Sequence, residues 1–197
     1  MVEKKISVFS YFHDNTVKKK RKKPVIQYYS QDNLKSLTYS ELLEKVVFLN
    51  KALVDKGINP NDRVGIVSEN RIEWIISDLA TNSIGIVNVP IFPNFTADQQ
   101  KYIFSDSGAK AVIVSNKLQL KNILSIKDEL PDLKFIVVMS DELEDESNNI
   151  FSFNKLIDNV RKENYDKLKN DFLEKSQSVN QEDIFTIIYT SGTTGNP

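Results

Sequence analysis

The sequence has 197 residues, of which 40% are hydrophobic and 27% charged, a composition typical of a globular chain that can bury a core. Its 26 Lys and Arg residues nearly balance its 27 Asp and Glu residues, so the net charge of −1 gives no overall attraction to nucleic acid or acidic membranes. The sequence contains no cysteine, which excludes disulfides and thiolate metal sites. No apolar run approaches the roughly 20 residues that a membrane-spanning helix requires.

The first predicted element is a short amphipathic helix over residues 6–17, with Phe9 and Phe12 on one side. The single histidine, His13, has no second histidine with which to hold a metal, and we expect it on the surface of this helix. Six consecutive basic residues follow at 18–23. We interpret them as a solvated connector, because no aromatic residues are interleaved with them as in many nucleic-acid-binding segments. Binding of anionic lipid, nucleic acid or an import receptor is the alternative.

Residues 24–140 alternate between strand-like and helix-like segments. Residues 24–29 are predicted as a strand that begins at its proline. Thr38 and Glu41 have the spacing of a capping box, and the helix that they open is predicted to end at Gly57. Further strands are predicted at 63–68, 86–91, 111–115 and 134–139, and further helices at 71–83, 96–106 and 118–130. Repeated strand–helix units predict an α/β fold with a mainly parallel sheet and flanking helices.

Residues 141–182 are more polar than the segments before them. The acidic stretch 141–146 is predicted as an exposed loop, and polar helices are predicted at 151–162 and 164–175. The adjacent carboxylates Asp141 and Glu142 are therefore better explained as part of a solvated loop than as an acid–base pair.

The C-terminal residues have the pattern of a strand followed by an anion-binding loop. Residues 184–189 are β-branched and aromatic with little polar alternation, which predicts a strand buried on both faces. Gly192 and Gly195 allow the backbone to approach an anion closely, and successive N–H groups in such a turn form an anion-binding nest. Hydroxyl donors for phosphate oxygens come from Thr190, Ser191, Thr193 and Thr194. Only two residues separate the glycines, so the loop is not a P-loop. By composition alone, an ordinary surface turn is the favoured alternative.

The full string Tyr-Thr-Ser-Gly-Thr-Thr-Gly-Asn-Pro at 189–197 closely resembles the phosphate-binding loop of the adenylate-forming (AMP-binding) enzymes, in which a lysine usually follows the proline. The segments Leu-Thr-Tyr-Ser-Glu-Leu at 37–42 and Asp-Arg-Val-Gly-Ile-Val-Ser-Glu-Asn at 62–70 are similar to earlier segments of that family. Residues 89–97, 102–103 and 106–109 resemble the long-chain acyl-CoA synthetase branch in particular. The sequence is identified by this resemblance as a member of the adenylate-forming superfamily.

The resemblance implies a partial N-terminal AMP-binding domain. Its parts would be a helix and basic connector (1–23), strand–helix units (24–140), an acidic loop and polar helices (141–182), and a strand with the phosphate loop (183–197). Residues 190–195 would bind the β- and γ-phosphates of ATP. The family's Mg²⁺-binding glutamate, catalytic lysine and most of its acyl pocket lie downstream of this loop, so the resemblance assigns no catalytic or metal-binding residue here.

The implied activity is ATP-dependent ligation of a long-chain fatty acid to coenzyme A, with ATP, Mg²⁺ and CoA used by the complete enzyme. Because family members are several times longer, we expect this chain to be an N-terminal fragment that is inactive on its own. Alternatives are another acyl- or aryl-CoA ligase or adenylation enzyme of the superfamily, or a non-catalytic nucleotide-binding module. We expect no nucleic-acid partner, no transmembrane segment and a cytoplasmic location, with peripheral membrane association left open. Trp74 is interpreted as a core residue rather than as part of an acyl pocket.

Overall fold

The computed structural model describes residues 7–30, 33–141, 143 and 149–190. The first helical segment consists of α1 (Val8–Phe12), a π-helical turn (His13–Val17) and α2 (Lys18–Lys20). An antiparallel hairpin follows, formed by β1 (Pro24–Ser30) and β2 (Asn33–Thr38). This hairpin is a separate two-stranded sheet.

The remaining described residues form strand–helix units that build one larger sheet. In chain order the elements are α3 (Tyr39–Asp55), β3 (Arg63–Val67), α4 (Ile72–Asn82), β4 (Val87–Ile91), α5 (Ala97–Ser107), β5 (Ala109–Val114), α6 (Lys117–Ile126), β6 (Phe135–Val138), β7 (Ile150–Ser152), α7 (Phe153–Val160) and α8 (Tyr165–Gln177). A 3₁₀ turn, Lys127–Glu129, extends α6.

The larger sheet confirms the predicted parallel α/β fold. Within the described residues it has five strands in the order β4-β3-β5-β6-β7, and every neighbouring pair is parallel. Gly65 of the interior strand β3 pairs with Val89 on one side and Val112 on the other. The carboxyl ends of all five strands therefore lie at one edge of the sheet, where open α/β sheets place their ligands.

Alternate side chains of the sheet point to two separate apolar layers. In β5, Ala111 and Ile113 belong to the layer that packs against α3, α4, α7 and α8. Val112 and Val114 belong to the opposite layer, which packs against α5 and α6. This alternation follows from the two-residue period of a strand and explains why the strands read as nearly continuous apolar runs.

Helix ends follow the predicted capping chemistry. The Oγ1 atom of Thr38 accepts a hydrogen bond from the backbone N–H of Glu41 at 3.3 Å, and the Glu41 carboxylate accepts one from the backbone N–H of Thr38 at 2.7 Å. Both halves of a capping box are therefore present. Thr96 and Gln99 form the same arrangement at α5, which ends at Gly108 in the left-handed conformation with φ 63°.

Two strands were not predicted. The strand β2 shows no apolar alternation in the sequence, because its hairpin lies outside the main sheet and its first four positions are exposed. The strand β7 was merged into a helix over 151–162, because three residues are too few to show a strand period. The helix begins instead at Phe153, where Ser152 accepts a hydrogen bond from the backbone N–H of Lys155.

The prediction that His13 lies on the surface is wrong. Its side chain is only 13% exposed and stacks on the ring of Phe9, with 6.1 Å between the ring centroids. His13 follows Phe9 by four positions, so both lie on the helix face that turns toward α8. Burial lowers the pKa of His13 from its ordinary value. The basic residues 18–23 are exposed as predicted, and Trp74 is partly buried against the core.

Candidate functional site

The candidate site begins where residues 184–190 run beside β4. Thr186 forms a parallel bridge with Asn88. The backbone N–H of Ile187 donates to the carbonyl of Asn88 at 2.9 Å, and the backbone N–H of Asn88 donates to the carbonyl of Phe185 at 3.4 Å. Because this segment is parallel to β4, its carboxyl end at Thr190 lies at the edge where the strands of the sheet end.

The prediction that residues 184–189 form a strand buried on both faces is wrong. Ile184 and Ile188 are 63% and 66% exposed, and Phe185 is 39% exposed. Ile187 and Tyr189 pack against the apolar layer of α5 and α6. Within the described residues, the segment has a strand neighbour on one edge and helices on one face. The apolar composition of the segment indicates that it packs against other elements, but it does not indicate which elements cover each face.

Tyr189 connects this segment to helix α5 through contacts that include Asp106 and Tyr102. Its hydroxyl group donates a hydrogen bond to Oδ2 of Asp106 at 2.5 Å. Its ring meets the ring of Tyr102 edge to face, with 6.3 Å between centroids and an interplanar angle of 84°. Burial raises the pKa of the Tyr189 phenol, and the hydrogen bond to Asp106 and the negative charge of Asp106 raise it further.

A buried polar network holds the other side of the segment through Asn88. The Nδ2 atom of Asn88 donates to Oδ1 of Asp78 at 2.6 Å, and the Thr81 hydroxyl donates to Oδ1 of Asn88 at 2.5 Å. Asn82 also donates to Asp78, at 2.9 Å. Burial raises the pKa of Asp78, although the hydrogen bonds from Asn88 and Asn82 act in the opposite direction. Asn88 therefore ties α4 to β4 with its side chain while its backbone pairs with residues 185–187.

Of the predicted phosphate-binding residues, the structure describes Thr190, which is exposed at the carboxyl edge of the sheet. The others lie outside the described residues: Ser191, Gly192, Thr193, Thr194 and Gly195. Their role in phosphate binding stays a prediction, while the position from which the loop leaves the sheet is now defined.

The sequence prediction missed the residues that hold this exit point. Asn88 is a polar residue within the apolar run 86–91, which was a usable signal for a buried hydrogen-bonding role. Tyr102 and Asp106 are four positions apart on a predicted helix and so share a face. Nothing local to the helix, however, indicates that residue 189 is their partner.

A cavity of about 260 Å³ borders the start of the 184–190 segment and is lined by Ile184 and Phe185 among others. Among the described residues, no group of three or more His, Cys, Asp or Glu side chains is arranged to hold a metal ion. A cavity of about 440 Å³ lies between the first helical segment and α8, lined by His13, Asp14, Lys18 and Leu173 among others. It is lined by no residue of the 184–190 segment, and we do not assign it to the loop.

The fold is that of an α/β protein in which the segment before the glycine- and hydroxyl-rich string runs toward the carboxyl edge of a parallel sheet. A family model described as AMP-binding enzyme matches residues 13–197. The chain belongs to this family.

Curated relatives agree with this assignment. A long-chain-fatty-acid–CoA ligase of Xenopus laevis is 31% identical over 166 residues, which cover 84% of this chain and 22% of the relative. A fatty acyl-CoA synthetase of Dictyostelium discoideum is 29% identical, over 83% of this chain and 24% of the relative. The chain thus spans about a quarter of the length of these relatives.

Solved structures show the same fold. An anthranilate CoA ligase in complex with anthranoyl-AMP superposes with a TM-score of 0.77 at 23% identity, over 100% of this chain and 34% of that protein. A long-chain-fatty-acid–CoA ligase of Archaeoglobus fulgidus gives a TM-score of 0.76 at 21% identity, over 98% of this chain and 36% of that protein.

Proposed function

We propose that this chain supplies the first part of the AMP-binding domain of an ATP-dependent long-chain fatty acid–CoA ligase. The observation that carries the proposal is the string at 189–197, which continues a segment that runs parallel to β4 toward the carboxyl edge of the sheet. The names of the curated relatives favour a fatty acid as the carboxylate substrate.

In the proposed reaction, a fatty-acid carboxylate oxygen attacks the α-phosphorus of ATP, and the bond to the bridging oxygen breaks to release pyrophosphate. The thiol of CoA then attacks the acyl carbon, loses its proton and displaces AMP to form the thioester. The first step brings an anion toward a triphosphate, so it depends on donors aligned around the phosphates. Residues 190–195 would supply backbone N–H groups and hydroxyls to the β- and γ-phosphates.

Mg²⁺ is part of the proposal for the complete enzyme, where it would neutralise phosphate charge. Because the described residues contain no cluster that could hold it, we assign none of them to the metal. We expect the 197-residue chain alone to form no acyl-CoA. ATP- and CoA-dependent thioester synthesis by this chain would contradict that expectation.

Triphosphate binding by the 197-residue chain tests the proposal directly. We expect weak binding of ATP by calorimetry, with inorganic tripolyphosphate as a competitor, since the loop recognises phosphates. The variants Gly192→Val and Gly195→Val should abolish binding, because the proposed role of these glycines is to let the backbone approach a phosphate closely. Ser178→Ala, at the exposed end of α8, serves as the control. Equal binding by wild type and both glycine variants would refute the assignment.

The same titration separates the proposed ligase from a self-standing nucleotide-binding module. A module would bind ATP at micromolar concentrations or better, whereas a loop without an adenine pocket binds mainly the phosphates. Binding that depends on the adenine ring and survives tripolyphosphate competition would favour the module.

The proposed location is the cytoplasm, with contact at a membrane surface as an additional proposal. No helix in the described part of the chain is long and apolar enough to cross a bilayer. The exposed basic residues 18–23 carry charge that complements anionic lipid headgroups. Co-sedimentation with anionic but not neutral vesicles, lost when these residues are replaced by glutamine, would support this contact. Equal sedimentation with both vesicle types would exclude it.

A further inference from the structure

We propose that Tyr189 and Asp106 are positioning residues of the phosphate loop, because their contact fixes the point at which the loop leaves the sheet. The inference rests on the proposed function, since it gives a task to residues outside the phosphate-binding string itself. Tyr189, on the segment before the loop, donates a 2.5 Å hydrogen bond to Asp106 on helix α5.

The backbone of residues 184–190 is weakly attached to the sheet. In the described part of the chain, residues 184–190 share a single parallel bridge with β4, at Thr186. Backbone pairing to Asn88 extends to Ile187, and the side chain of Ile188 faces solvent. The side chain of Tyr189 is therefore the attachment nearest to the loop, three positions before Gly192.

A second observation is the position of Asp106 on its own helix. Asp106 lies in the last turn of α5, which ends at Ser107, where the carbonyl end of the helix dipole disfavours a negative charge. A carboxylate at this place weakens rather than stabilises its helix. Asp106 instead interacts with a residue distant in sequence, since its carboxylate accepts a hydrogen bond from the phenol of Tyr189. A hydrogen bond to an ionised acceptor is stronger than one between neutral groups.

A third observation is the shape of the surface that receives Tyr189. Tyr102 and Asp106 are four positions apart and lie on the same face of α5. The first offers a ring that meets Tyr189 edge to face, and the second offers a hydrogen-bond acceptor. Two contacts of different chemistry fix both the ring plane and the hydroxyl direction of Tyr189, which a single apolar contact would not do.

Hydrogen exchange of the 197-residue chain, followed by mass spectrometry, tests the contact without nucleotide. Tyr189→Phe removes the hydroxyl and keeps the ring, and Asp106→Ala removes the acceptor. Because Asp106 is exposed and its hydrogen bond to Tyr189 is screened by solvent, we expect each to speed exchange in peptides covering 186–197 by about two- to fivefold. Exchange in β3 and β5 should not change. Tyr102→Phe is the matched control, since it removes a hydroxyl from the same cluster but keeps the ring contact.

The double variant distinguishes a specific pair from two independent defects. If the two residues act through one another, Tyr189→Phe with Asp106→Ala should exchange no faster than either single variant. Multiplied effects, or unchanged exchange in Tyr189→Phe, would overturn the inference.

A spectroscopic readout follows the phenol itself. The phenolate absorbance of wild type minus that of Tyr189→Phe should appear at higher pH than that of an ordinary tyrosine, whose pKa is about 10. Asp106→Asn should move this signal to lower pH, because the carboxylate charge no longer opposes ionisation. A purely structural defect elsewhere would leave the midpoint unchanged, and an unchanged midpoint in Asp106→Asn would refute the pairing.

Binding of inorganic tripolyphosphate then connects the contact with the loop. We expect Tyr189→Phe to weaken it several-fold and Tyr102→Phe to leave it unchanged. Equal affinity of Tyr189→Phe and wild type would overturn the positioning role even if exchange responds. Failure of wild type to bind tripolyphosphate would instead overturn the proposed function, so the two failures are distinguishable.

Discussion

Helix α5 approaches the sheet closely at Gly65 of β3, and replacement of Gly65 by alanine should test that packing. A Cβ atom added at Gly65 would lie closer than 3.0 Å to two ring carbons of Phe104, a separation that packed carbons do not adopt. Phe104 is only 2% exposed and is enclosed in the apolar layer between the sheet and α5. Gly65→Ala must therefore displace the ring or the helix.

Overpacking of this kind usually destabilises a protein by about 1–3 kcal/mol, and we expect Gly65→Ala to fall in this range. Phe104→Leu alone removes ring volume and should destabilise by roughly 1–1.5 kcal/mol. In the double variant the smaller side chain makes room for the new methyl group. The double variant should therefore lose about 1–2 kcal/mol less unfolding free energy than the sum of the losses in the two single variants.

Urea unfolding measures these free energies, with far-UV circular dichroism and the fluorescence of the single tryptophan, Trp74, as two probes. Gly85→Ala provides the control. Its added Cβ would have ordinary contacts, but its backbone has φ +80°, so its destabilisation comes from strain and should be indifferent to Phe104→Leu. Additive effects of Gly65→Ala and Phe104→Leu would refute the packing argument.

Three further predictions concern a buried carboxyl, a helix cap and an exposed apolar surface. Burial raises the pKa of Asp78 above its ordinary value of 3.8, so just above that pH the native state binds more protons than the unfolded state, and the free energy of unfolding falls as pH rises through this window. In urea unfolding, the stability of Asp78→Asn relative to wild type should therefore increase from acid to neutral pH. A stability difference that does not change with pH would exclude this linkage. Thr38→Ala removes the acceptor for the N–H of Glu41 and should lower the free energy of unfolding by about 1 kcal/mol, whereas Ser36→Ala on the exposed face of β2 should have little effect; equal effects would argue against the capping role. Ile188 is 66% exposed beside the outer strand of the described sheet, and an exposed apolar strand edge promotes self-association, so we expect the wild-type chain to associate. Ile188→Lys should reduce this association in sedimentation velocity, while Leu124→Lys, at an exposed position of α6, should not. An unchanged association state in Ile188→Lys would show that this strand edge does not drive association.

Local signals in the sequence were sufficient for most of the fold. The capping box at Thr38 and the glycine at 57 act within one helical turn of the ends of α3, so their effect can be predicted from neighbouring residues. The strands β3 to β6 are apolar runs separated by helical segments, and this order alone predicts parallel pairing. The strand β7 escaped prediction because its three residues carry too little pattern.

Burial and partner choice depend on tertiary contacts and could not be read in the same way. The apolar run at 184–189 indicated burial, yet the sequence did not specify that α5 and α6 cover Ile187 and Tyr189 while Ile184 and Ile188 face solvent. The opposite error occurred at His13, which was predicted to be exposed. Its ring stacks on Phe9, and the sequence did not indicate this contact. The loop string was recognisable from its residues, but Asp106 is separated from Tyr189 by 83 positions.

The packing of α5 on the sheet and the attachment of the loop to α5 are parts of one mechanical connection. Phe104 sits over Gly65 of β3, and Tyr102 and Asp106 lie within two positions of Phe104 on the same helix. A side chain at Gly65 that displaces the Phe104 ring therefore also displaces the groups that hold Tyr189. Hydrogen bonds weaken steeply with distance and angle, so even a small outward shift of α5 should loosen the loop exit. Gly65→Ala should thus increase hydrogen exchange at 186–197 as well as lower stability, and Phe104→Leu should restore protection there. If stability recovers in the double variant but protection at the loop exit does not, the position of α5 does not control the loop.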